Sequence, residues 1–163
     1  MTAHASPALA AGTAAPAGVR HRRFRLTDGT PPAVRAAAAV RQMIGEWQLP
    51  VDGALAAVLA SDLVISAAVS GSGENLMLSV RCTTTQLRVE VHDPSVRGDS
   101  WETDAPGPEA QRGLLLAAAR AADSGHYRTP AGRAVFYVLE FPPSAAATGS
   151  GQSRGGPRGD GEP

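Results

Sequence analysis

Between two stretches poor in large apolar side chains, the hydrophobic positions of this chain switch between a period of two and a period of three to four. Arg20, His21, Arg22, Arg23 and Arg25 are interleaved with Phe24 and Leu26, which fits a solvated edge strand; the same basic cluster is also suited to an acidic partner. Ala33, Ala36, Ala37, Val40, Met43, Ile44 and Trp47 then recur at helical spacing, with Thr30 as expected N-cap, Pro31 at the first helical position and an end near Leu49 and Pro50. Asp52 is placed to cap a second helix, whose Leu55, Val58, Leu59, Ile65 and Val69 supply apolar faces up to Gly71 and Gly73. Alternation returns over 76–82 and 86–92, joined by Thr83, Thr84 and Thr85 as a hairpin. A third helix is expected over about 112–122, a short strand near 126–128, a turn through Pro130 and Gly132, and a final strand over 134–141.

The order strand, helix, helix, strand, strand, helix, strand, strand predicts an α+β two-layer sandwich, a sheet with one face covered by three helices. It lacks the regular strand and helix alternation of a doubly wound sheet. At 163 residues the chain suffices for one domain. Residues 20–141 form the expected domain, and 1–19 and 142–163 read as disordered tails whose Ala, Gly, Pro and Ser cannot offset their ordering entropy.

Charge narrows the classes of function. The fifteen basic side chains, all Arg, balance fifteen acids, so no global field draws the protein to nucleic acid or to an acidic membrane. The Ala-rich helices offer no basic recognition helix. The absence of Lys beside abundant Ala, Gly and Arg fits the codon bias of a GC-rich bacterial genome. Cys82 is the only cysteine, and the four histidines show no metal-ligand spacing, so a reducing cytoplasm is expected. Neither a signal peptide nor about eighteen continuous apolar residues stands out.

Candidate chemistry concentrates where the strand ends on Asp93, Pro94 and Ser95, before a loop rich in Pro, Gly and acids and then Arg112, Gly113 and Leu114. Asp93 is suited to accept a hydrogen bond from the exocyclic amine of a purine, and N–H groups near Gly113, at a helix start, to face phosphate. Asp-Pro-Ser is also ordinary turn chemistry and needs no ligand. On the second helix Asp62, Ser66 and Ser70 follow at four-residue intervals, a polar stripe continuing the face of Leu55 and Leu59. It reads either as the border of a pocket or as an exposed acid with serines bonded back to the preceding turn.

Taken together, the segments 60–69, 90–95 and 112–116, with the helix, helix, hairpin order, resemble the histidine-kinase-type ATPase superfamily, and within it the small actinobacterial ATP-binding proteins related to anti-sigma-factor serine kinases. The resemblance implies a Bergerat-type ATP-binding fold with a mixed, mostly antiparallel sheet, ATP and Mg2+ as cofactors, and a sigma factor or an anti-sigma antagonist as partner, with a homodimer left open. It implies Asp62 as the general base, Ser66 at the place of the metal-binding Asn, Asp93 as the adenine acceptor, and Ser95, Arg112, Gly113 and Leu114 along the nucleotide. The chain departs from the family pattern at Ser66 and Ser70, at Ser95 and Arg97 in place of lid glycines, and at Ala134 in place of a Thr. Two functions follow: an ATP-binding regulator of the serine/threonine-kinase type with a degenerate magnesium and phosphate end, or a non-catalytic pseudo-ATPase that serves as a protein-interaction module.

Overall fold

The computed structural model describes residues 18–27, 29–71, 73–95 and 108–143. Most of both expected tails, and Arg97, lie outside them. In chain order the elements are β1 (Arg20–Arg25), α1 (Pro32–Trp47), α2 (Gly53–Ser70), β2 (Met77–Cys82), β3 (Gln86–Asp93), α3 (Pro108–Arg120), β4 (Asp123–Thr129) and β5 (Gly132–Glu140). The five strands form one open sheet in the order β1-β2-β3-β5-β4.

Every strand pair is antiparallel, where a mixed sheet was expected. The connectivity explains the difference. The chain reverses at each connection, and the two helices between β1 and β2 return it antiparallel to where it started. β3 and β4 run the same way and would pair in parallel if adjacent, but β5 lies between them.

Local chemistry sets the helix boundaries. Pro31, not Thr30, is the N-cap of α1: its ψ of 128° is the extended conformation that a following proline imposes, so the helix starts at Pro32. At the other end Gln48 adopts a left-handed conformation (φ 52°), and Leu49 N–H donates to Ile44 O at 3.0 Å. Asp52 caps α2 as expected, its Oδ1 accepting from Ala54 N at 2.8 Å and Leu55 N at 3.1 Å. α3 opens at Pro108, four residues before the expected start at Arg112. Proline at the first helical position followed by Glu109 is a start signal within the loop composition.

The core lies between the helices and one face of the sheet. Leu78, Val80, Leu87, Val89, Val91, Val135, Tyr137 and Leu139 meet Val40, Met43 and Ile44 of α1, Leu59, Leu63 and Ala67 of α2 and Ala117 of α3. α2 is central, packed against both other helices. Ser61 ties it to α1 by donating to Ala33 O at 3.1 Å, and the buried Tyr137 hydroxyl ties it to β5 by donating to Ala56 O at 2.7 Å. Of the apolar residues expected to face inward, Leu59 does and Leu55 packs at the margin, but Val58, Ile65 and Val69 are exposed. The helix is apolar nearly all round, so hydrophobicity alone does not select its inner face.

No helix among the described residues is long and apolar enough to cross a membrane.

Candidate functional site

Strand direction brings three strand ends together at one end of the sheet. β3 ends there at Asp93, β5 begins there at Gly132 opposite it, and β2 begins there at Met77, which pairs with His92.

Asp93 is the most constrained of the candidate residues. Register places it with Leu87, Val89 and Val91 on the helix-covered face, and its side chain is 1% exposed. Oδ1 accepts two hydrogen bonds from Ser95, from the backbone N–H at 2.8 Å and from the hydroxyl. That is the turn chemistry legible in Asp-Pro-Ser, and it occupies only this oxygen. Oδ2 is buried with no hydrogen-bond partner. A buried unsatisfied acceptor costs about 1–3 kcal/mol, more when it carries charge, so a donor arriving at Oδ2 is strongly rewarded.

The start of β5 holds Asp93 in place. Gly132 has φ +142°, and a Cβ there would stand 2.2 Å from the Asp93 carbonyl oxygen and 2.8 Å from Pro94 Cα. Only glycine permits this approach. Arg133 pairs with Asp93 across the strands, so the two share a face; it is buried and has an interaction partner, while its Nε and Nη2 make no hydrogen bond. Ala134 pairs instead with His92 on the other face. The residue opposite Asp93 is therefore Arg133. The missed signal was the alternation of Val135, Tyr137 and Leu139, which puts Arg133 on the inner face.

The α2 candidates divide. Ser66 is 1% exposed, on the inner face with Leu59 and Leu63, and it already has a partner. Asp62 is half-buried, and burial raises its carboxyl above the ordinary range. The side chain of Ser70 lies outside what is described. A carboxyl with a raised folded pKa holds its proton more tightly in the folded chain, so it subtracts stability as pH rises from about 3.9 through the raised value. Asp62→Asn is expected to raise the urea midpoint at neutral pH, with the gain vanishing below the unfolded carboxyl pKa; parallel curves from acid to neutral pH would contradict this.

Arg112 is exposed on α3. Because the helix starts at Pro108, Gly113 and Leu114 lie in its second turn, where N–H groups are taken by the i−4 carbonyls and no open helix start faces a phosphate. Ser95 is committed to Asp93 and acts as its clamp.

The residues do not fit a magnesium ion. The only oxygen at the expected ligand position is the buried, engaged Ser66 hydroxyl, and among the described residues no three His, Cys, Asp or Glu side chains gather. No protein-family model and no curated protein matches the chain.

Proposed function

We propose that the chain is an ATP-binding regulatory protein of the anti-sigma serine-kinase type, with its adenine end intact and its magnesium and phosphate end eroded. The observation that carries this reading is Asp93, a nearly inaccessible carboxylate with one oxygen clamped by Ser95 and the other unpartnered. Adenine offers an exocyclic amine, the donor that Oδ2 lacks, and Ser95 and Gly132 hold the acceptor still.

The chemistry the family implies is weaker here. Asp62 is the carboxylate that would accept a proton from a Ser or Thr hydroxyl of a partner, and its raised pKa suits a base. Arg112 is exposed on α3 and is the group that would meet phosphate. Ser66 offers no metal site, and no step is assigned to one.

The second reading, a non-catalytic module whose partner is a sigma factor or its antagonist, is favoured by two features: the burial of Ser66 and the enclosure of the Gly113 amide within α3. The two readings differ in nucleotide binding as well as in transfer, since the second binds ATP weakly or not at all.

Calorimetric titration of the full chain with ATP, with and without magnesium, separates the two. One saturable site is expected, with an affinity that magnesium changes by less than about threefold, as follows when the protein adds no metal ligand. No heat and no thermal stabilisation at millimolar ATP would contradict nucleotide binding, and a large magnesium dependence would contradict the eroded metal end.

A further inference from the structure

The face of the sheet turned away from the helices carries an ordered set of charges. Register puts His21, Arg81 and Arg88 side by side on three adjacent strands, with Arg23, Ser79 and Glu90 in the next row. Like charges directly opposite one another on a sheet are unfavourable. Arg88 is relieved within the fold: its Nη2 lies 3.0 Å from Glu90 Oε2 and its guanidinium 3.7 Å from the centre of the Phe136 ring. Arg23 and Arg81 have no carboxylate partner among the described residues. With Tyr127, these side chains line a groove of about 420 Å3. Since the chain's formal charge is balanced, this positive row is a local arrangement.

His21 senses the local field. Its Nε2 is 2.8 Å from Ser79 Oγ, and its imidazole is held below the ordinary value by burial, then by Arg23 and Arg81, with Glu90 acting in the opposite direction.

We propose that this groove is a second binding site, for a phosphate monoester, gripped by Arg23 and Arg81 with Ser79 and His21 completing the donors. Guanidinium forks match phosphate oxygens in pairs. The groove is far roomier than a bare ion needs, a water taking on the order of 30 Å3, so it has space for the ester substituent. Single-stranded nucleic acid is disfavoured because Arg88 covers Phe136, the aromatic face on which a base would stack. The site lies on the opposite face of the sheet from Asp93 and shares no residue with it.

NMR titration of the full chain at constant ionic strength, following the His21 ring signals, tests the proposal with inorganic phosphate in one arm and glycerol phosphate in the other. Saturable shifts are expected, tighter for the ester, with the His21 titration midpoint rising on saturation. Arg23→Gln and Arg81→Gln, both at exposed positions whose folding circular dichroism checks, are each expected to weaken binding about tenfold. Asp93→Asn is expected to leave it unchanged, which separates this site from the nucleotide site. Shifts that fail to saturate, or that persist unweakened in both Arg variants, would overturn the proposal. Equal affinity in the two arms would overturn the ester assignment, as would tighter binding of a single-stranded oligonucleotide.

Discussion

Gly132→Ala is expected to lower stability by about 2–4 kcal/mol and Tm by roughly 10 °C, the largest single effect on the fold outside the apolar core. Two costs act together. At φ +142° an L side chain is strained, and its Cβ would press on the carbonyl oxygen of Asp93 at 2.2 Å and on Pro94 Cα at 2.8 Å, both backbone atoms without a rotamer to escape into. Relief requires β5 and the end of β3 to part, and the register pair of Asp93 and Arg133 parts with them. ATP affinity should therefore fall along with stability. Gly125→Ala is the control: a Cβ there meets only the Phe136 ring, at ordinary distances of 3.5 and 3.6 Å, so a change under about 1 kcal/mol is expected. Melting curves compare the two, and a Gly132→Ala protein within about 2 °C of the parent would show that the close approach is not maintained in solution.

The elements that were legible in the sequence are those that local chemistry determines. Asp52 caps α2 because a short acid before an apolar helix has few better options, and the alternation through Leu87, Val89 and Val91 defines a strand with one buried face. Thr83 closes the hairpin as read, its N–H donating to Gln86 O at 2.9 Å. What was not legible depended on pairing between distant segments. That β5 lies between β3 and β4 decides the all-antiparallel sheet, and no local pattern encodes it. The same long-range register sets Arg133 opposite Asp93 and Ala134 opposite His92.

Two local misreadings have local causes. The Pro31-Pro32 pair moves the start of α1 by one residue, and Pro108 with Glu109 starts α3 inside what composition marked as loop. The inner face of α2 was ambiguous for a different reason. Val58, Ile65 and Val69 are as apolar as Leu59 and Leu63, so only packing reveals that Ser66 faces inward. For Asp93 the sequence supported both a turn and a ligand acceptor; the turn forms through Oδ1, and Oδ2 is left without a hydrogen-bond partner.

Asp93→Asn is expected to weaken ATP binding by about 100-fold. With the Asn side-chain oxygen keeping the two Ser95 bonds, its amide nitrogen takes the place of Oδ2 and presents a donor to the adenine amine, so donor faces donor. The folded chain should change little, because the exchange replaces one buried polar atom that has no partner with another, and unaltered melting of the free variant separates a binding effect from a folding one. The most direct measurement is a competition between ATP and inosine triphosphate on the parent protein and on Asp93→Asn. Inosine carries a carbonyl where adenine carries its amine. The parent should prefer ATP by about 100-fold, and the variant should lose that preference or reverse it, its amide now matching the inosine carbonyl. Equal binding of the two nucleotides by the parent, or an ATP preference that survives in Asp93→Asn, would contradict the assignment of Asp93 as the adenine acceptor.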